Sequence, residues 1–172
     1  VSGGRLFPAG GQPTHIARRD LSPFDPPMQR MLIALASLIS GLVALYLHLW
    51  KLGKAGALTC GSGGGCAYVQ TSKYGWFLGV DVALIGALGY AAIFLVAMLG
   101  TQPAFTNARW VTRALQLLIW PAVLFTIRLK YAEFVILKSF CPWCAVSAVT
   151  ITLCAILVTL DDRRVQREAL AS

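Results

Sequence analysis

The sequence predicts an all-α integral membrane protein: a four-transmembrane-helix bundle with an extracytoplasmic cysteine loop and a short interfacial helix. Three observations carry this prediction. The chain is 57% hydrophobic and only 13% charged, with a mean hydropathy of +0.67, too apolar for a soluble domain of its length. Its apolar residues gather into four stretches close to the ~20 residues a helix needs to cross a bilayer. Four of its five cysteines form two close pairs outside the apolar centres, Cys60 with Cys66 and Cys141 with Cys144. The formal charge of +8 does not indicate nucleic acid, because most arginines lie in tails and a short loop beside apolar spans, where they set orientation.

Residues 1–29 carry Gly3, Gly4, Gly10, Gly11, Pro8, Pro13, Pro23, Pro26 and Pro27 without sustained hydrophobic periodicity, and are expected to form a disordered cytoplasmic tail. The chain starts with Val, and the first apolar run begins too late and is too long for a cleaved signal peptide. Residues 31–50 form the first predicted span, bounded by Arg30 and Lys51. His48, near its end, is read as an interfacial or packing residue.

The connection over residues 52–75 is Gly-rich and holds Cys60-Gly61-Ser62-Gly63-Gly64-Gly65-Cys66. Its glycines impose little stiffness, so the two sulfurs can meet, separate and exchange partners. A disulfide closing so short a loop stabilises little, which favours a shuttle over a staple. Tyr68, Tyr74, Trp76 and Phe77 resemble an interfacial aromatic belt, and residues 67–73 fit a short helix along the surface that covers a site.

The second span is predicted over residues 76–99, with Gly79, Gly86 and Gly89 allowing close helix approach and Tyr90 a polar contact. Asp81 is read as solvated at the outer end rather than as a proton relay. After a turn over residues 100–111, the third span covers residues 112–136. It contains Pro121, which can kink a helix, and ends with Arg128, Lys130 and Glu133, whose long side chains are expected to snorkel to the headgroups. The fourth span covers residues 141–160, with Cys154 as a small core residue. Residues 161–172 form a polar cytoplasmic tail, leaving 30–160 as the membrane domain.

Cys141-Pro142-Trp143-Cys144 opens the fourth span. Proline suits the first helical position, so Cys141 falls at the N-cap with Cys144 one turn on, on the same face. The unpaired N–H groups and the macrodipole favour a thiolate there. The pair therefore reads as a redox centre, the bland alternative being an inert disulfide or two buried thiols. Ala145 follows Cys144, which disfavours haem attachment, and no second His or Cys pair supports a zinc site. Four spans put both termini on one side, where nine of the basic residues lie against six on the other. That bias places the termini in the cytoplasm and both cysteine pairs on the outer face.

Cys60-x5-Cys66, then Ser72-Lys73-Tyr74-Gly75-Trp76-Phe77-Leu78-Gly79, then Cys141-Pro-Trp-Cys144 across four spans resembles the vitamin K epoxide reductase family, especially its bacterial members, over residues 31–160. The resemblance implies a four-helix bundle around a quinone, ubiquinone or menaquinone, in the bacterial inner membrane. It implies that Cys144 faces the quinone, Cys141 exchanges with Cys66, Cys60 meets the thiols of a partner, and Ser72 holds the loop over the site. Arg128 and Lys130 are alternatively placed to stabilise a reduced quinone anion or a thiolate.

Where animal members use an Asn and a Tyr to recognise the vitamin K head group, this chain has Val82 and Ala148, which argues against epoxide reduction. Val82, Gly86 and Ala148 are the candidate quinone contacts. Asp81 stands where bacterial relatives are expected to have Pro. With only a short tail after the fourth span, the expected partner is a separate DsbA-like thioredoxin-fold protein. The leading reading is a quinone-dependent, disulfide-generating oxidoreductase without a metal. The alternatives are a vitamin K epoxide or quinone reductase and a non-catalytic scaffold with two structural disulfides. A four-span oxidase of the DsbB type would carry its C-x-x-C near the first loop.

Overall fold

A computed structural model describes residues 26–57, 65–105 and 108–171. Four helices in it are long and apolar enough to cross a membrane. Helix α1 is Pro26–Lys51, α2 Gly65–Thr71, α3 Val82–Thr101, α4 Arg109–Tyr131 and α5 Pro142–Ala171. Helix α1 packs chiefly along α3 and also against α5, while α4 packs on α5 and α3. Helix α2 starts against the segment that leads into α5, its Gly65 beside Phe140.

The fit between residue pattern and packing is direct. Ile33, Ala34, Ile93, Ala97, Val111, Leu115, Ile119, Ile151 and Val158 form one buried core, and Cys154 joins it as a small apolar residue. Leu42, Leu88, Leu117, Leu124 and Val149 are exposed on the outside, as a lipid-facing surface requires. Hydrogen bonds tie α1 to α5 through Ser40 Oγ and Thr150 Oγ1 at 2.7 Å, and α3 to α5 through Tyr90 Oη, which donates to the Ser147 carbonyl at 2.9 Å.

Four expectations about the elements need correction. Helix α1 begins at Pro26, so residues 26–29 are helical rather than tail; proline at a helix start gives up an N–H that has no partner there anyway. The second span begins at Val82, because Trp76–Phe77 and Val80–Asp81 form a two-stranded antiparallel hairpin. Leu78 and Gly79 turn it with φ of 51° and 81°, the two positive values of a two-residue hairpin turn. Of the three glycines expected at helix contacts, only Gly86 approaches a neighbouring helix: a Cβ there would stand 3.7 Å from Ala44 Cβ, whereas Gly89 meets nothing within 4 Å. Finally, α5 runs unbroken to Ala171, so residues 161–171 continue the fourth helix.

Arg30 and Asp161, read as a flank and a tail residue, are both buried. Arg30 Nη2 lies 3.1 Å from Asp161 Oδ2, and its Nη1 donates to the carbonyls of both Gly100 at 2.9 Å and Phe105 at 3.0 Å. Thr112 Oγ1 donates to the same carboxylate oxygen at 2.7 Å. One guanidinium thus joins α1, α3, α4 and α5 at the end of the bundle that holds the N-terminus of α1.

Candidate active site

At the opposite end, the chain brings three cysteines together. Cys141 immediately precedes α5, and its carbonyl accepts the first helical bond, from Ala145 N–H at 3.0 Å. The Cys144 N–H points back at the Cys141 sulfur, 3.4 Å away. Cys66, on the first turn of α2, hydrogen-bonds the same sulfur. Cys66 and Cys141 are both fully buried. Hydrogen bonds from the Cys144 side chain, opposed by burial and aided by the Cys144 N–H and by Cys66, bring the Cys141 thiol down to about 6. The contacts around Cys141 therefore favour its thiolate, the nucleophilic form of the group.

The approach of α2 depends on Gly65. A Cβ there would stand 2.8 Å from the Phe140 carbonyl oxygen, so only glycine lets the start of α2 lie against the segment leading into Cys141. The 3₁₀ turn Lys73–Gly75 follows α2. Ser72 closes the end of the helix, its Oγ donating to the Val69 carbonyl at 2.7 Å, and its backbone carbonyl accepts from Gly75 N–H at 2.9 Å. Cys60 lies outside the described residues.

The segment before Cys141 is irregular. Helix α4 passes into a π-helical turn, Ala132–Ile136, and Lys138 has φ of 48°. Single π turns are frequent at functional sites. Here the turn presents Glu133 to Cys141: its Oε1 accepts the Cys141 N–H at 2.6 Å, and its Oε2 lies 2.7 Å from Lys130 Nζ. Glu133 is 2% exposed. The expectation that it snorkels is therefore wrong; the carboxylate is turned inward and satisfied there. Arg128 instead stacks over the Phe77 ring, 5.3 Å from its centroid.

Between the helices lies a predominantly apolar cavity of about 410 Å³, with Cys144, Trp143, Gln70, Lys130 and Glu133 in its wall. Val82 and Gly86 also line it, together with Gly89, Tyr90 and Pro121, whereas Ala148 is not among the lining residues. Gln70 Nε2 donates to the Cys144 sulfur at 3.6 Å. Cys66 and Cys141 thus stand behind the wall and Cys144 in it. Sequence reasoning passed over Gln70 and read Glu133 only as a headgroup contact. A signal existed for each: Gln70 is one turn after Cys66 on the same face, and Lys130 and Glu133 are spaced i,i+3.

Asp81 covers the mouth of α3. It is 4% exposed, not solvated as expected. Its carboxylate accepts from the Ala83 N–H at 3.1 Å as the N-cap of α3, lies 2.7 Å from His48 Nδ1, and pairs closely with Lys51. Lys51 Nζ also donates to the Gly75 carbonyl at 3.2 Å. Burial alone would raise the Asp81 pKa, but the Lys51, His48 and Ala83 hydrogen bonds outweigh it and hold the carboxyl below the usual range. Hairpin, α1 and α3 are thereby fixed around one carboxylate. Against known proteins, the model of the vitamin K epoxide reductase family matches residues 31–159.

Proposed function

The chain belongs to the vitamin K epoxide reductase family, a family of membrane thiol–disulfide and quinone oxidoreductases, and we propose that it makes disulfides for an extracytoplasmic thioredoxin-fold partner at the expense of a membrane quinone. The observation that carries this reading is the line of contacts from Cys66 to Cys141 to Cys144 in the cavity wall. Electrons enter at one end of that line and leave at the other. In the proposed cycle, Cys60 takes electrons from the partner dithiol, leaving the partner as a disulfide and the loop pair reduced. The Cys66 thiolate then attacks the Cys141 sulfur of a Cys141–Cys144 disulfide, forming a Cys66–Cys141 bond and releasing Cys144 as a thiolate. Cys60 closes the loop disulfide by attacking Cys66, which frees Cys141.

The reduced Cys141–Cys144 pair then gives two electrons to the acceptor and re-forms its disulfide, while the acceptor takes up two protons to become a hydroquinone. A cavity of this size, apolar with a few polar groups, fits a quinone ring. Val82, Gly86 and Trp143 would hold that ring by apolar contact, with Gln70 oriented on the reacting sulfur. The excess of basic residues on the side of the termini supports cytoplasmic termini with the cysteines on the outer face, and the resemblance to bacterial family members supports a bacterial inner membrane.

The test uses the purified protein in lipid vesicles with a reduced thioredoxin-fold dithiol protein and a short-tailed benzoquinone. Cys144→Ser is expected to abolish quinone reduction. Cys60→Ala is expected to block transfer from the partner yet to leave oxidation of a small dithiol that reaches the inner pair. Full turnover of the partner protein by Cys60→Ala would exclude the relay, and a Cys66→Ala variant is expected to trap the partner as a mixed disulfide.

A further inference from the structure

The Lys130–Glu133 pair lies in the same cavity wall as Cys144. Glu133 is 2% exposed, so its charge has been taken out of water, which costs several kcal/mol unless partners compensate. If the carboxylate served only to satisfy the Cys141 N–H, a backbone carbonyl or an amide would serve without that cost. A buried ion pair is also weak evidence for stability, since apolar packing of the same volume does as well or better. Ionisable groups at membrane depth that face a cavity mark proton paths more often than scaffolding.

The chemistry of the site needs such a group. Oxidising Cys141 and Cys144 to a disulfide releases two electrons, and reducing a quinone to its hydroquinone consumes two electrons and two protons. The Cys144 N–H, 3.4 Å from the Cys141 sulfur, and the thiols beside it favour the Cys141 thiolate, so Cys144 supplies one of these protons and the other comes from elsewhere. The described cavity wall contains one side-chain ammonium, that of Lys130.

Resting on the quinone reading above, we propose that Lys130 is the proton donor of the acceptor site and Glu133 the residue that positions it. Lys130 gives a proton to the acceptor oxygen as the Cys141–Cys144 bond forms and two electrons leave the sulfurs. Its side chain is 20% exposed near the end of the span, the route by which it is reprotonated. Glu133 holds the ammonium through Oε2 while Oε1 holds the Cys141 N–H, so one carboxylate keeps the donor in register with the cysteines. Of the titratable groups, Glu133 in the π-helical turn after α4 pairs with the ammonium, Cys144 on α5 feels its charge, and Tyr74 and Tyr90 share its cavity wall. The rings of Phe134 and Phe140 also face it, at 5.5 and 5.8 Å.

The experiment is a single turnover of protein reduced beforehand with dithiothreitol, using a short-tailed benzoquinone as probe. Quinone binding is read separately from quenching of tryptophan fluorescence, since Trp143 lines the cavity. Lys130→Ala is expected to lower the rate of quinone reduction by about 10²-fold, the usual worth of a positioned general acid. Quenching should remain within about threefold of wild type, and added ethylamine should restore part of the rate, a rescue that a merely structural lysine would not show. Glu133→Gln keeps an acceptor for the Cys141 N–H and is expected to lower the rate with quenching retained. Wild-type rates in Lys130→Ala, or a loss of quenching that accounts for its lost rate, would overturn the proposal. A wild-type protein that binds but does not reduce quinone would instead overturn the functional reading on which it rests.

Discussion

At the scale of single residues, Cys141 is the pivot between two thiol partners, since both Cys66 and Cys144 hydrogen-bond its sulfur. The Cys144 hydrogen bonds are the largest influence bringing it to about 6. Thiolate absorbance in the far ultraviolet is therefore expected to show one cysteine ionising near pH 6 in the reduced protein. Replacing Cys144 with Ala should move that midpoint upward by removing the strongest donor. A first ionisation at the ordinary thiol value in the wild type would contradict the arrangement. The two cysteines of the C-x-x-C were legible in the sequence because spacing and Pro142 are local facts, and local facts determine which sulfur caps a helix. Glu133 was not legible in the same way. Its i,i+3 partner Lys130 allowed either a surface pair or a buried one, and the choice was made by a π-helical turn that no residue in 132–136 announces. Gly65 shows the same limit: its need for a missing side chain arises from the Phe140 carbonyl, 75 positions away in sequence.

At the scale of elements, the hairpin between α2 and α3 interrupts a sequence that reads as continuous span, and the residues just before it, Tyr74 and Gly75, line the cavity. Hydropathy over residues 76–81 does not separate a short hairpin from the first turns of a helix, because Trp, Phe, Leu and Val suit both. The breaking signal was Gly79 followed by the N-cap Asp81, and it was masked by assigning Asp81 to solvent. Since Lys51, His48 and Ala83 hold the folded-state carboxyl below its ordinary pKa of 3.8, Asp81 contributes stability that is fully present above that value. This stability is lost as pH falls through the depressed folded-state value, when the native carboxylate protonates. The stability difference between wild type and Asp81→Asn, from thermal unfolding in detergent, is expected to be full at pH 7. It should shrink only below about 4. A difference that grows toward acid pH would show that the carboxylate is not paired in the folded protein. Asn keeps an oxygen that can cap α3, so the difference reports the lost pairing with Lys51 and His48, and the hairpin should loosen with it through Lys51 and Gly75.

At the scale of the whole molecule, the bundle separates holding from reacting. Arg30 and His48 lie 18 residues apart on α1, about 27 Å at the helical rise, so the Arg30–Asp161 cluster and the cysteine site occupy opposite ends. The four spans and the gathering of Cys66, Cys141 and Cys144 at one end follow from span count and connection order, which is why the sequence already indicated them. The cluster at the other end was hidden because an arginine at the start of a span ordinarily flanks the membrane, and an aspartate after its last apolar residue ordinarily meets water. Both are buried because the ends of α1, α3, α4 and α5 converge and leave the guanidinium two carbonyls, a hydroxyl and a carboxylate. Removing one partner strands the other charge, so Arg30→Met is expected to destabilise the folded protein by about 3–5 kcal/mol. Arg30→Met with Asp161→Leu should be less destabilised than the sum of the two single variants, since neither charge is then left without its partner. Unfolding in mixed detergent micelles measures this coupling. The surviving folded fraction of each variant should reduce the benzoquinone probe at the wild-type rate, because the cavity and its sulfurs are supported by contacts at the far end. Strict additivity of the two variants would mean that the pair does not act as a unit, and a parallel fall in turnover per folded molecule would mean that the two ends of the bundle are coupled.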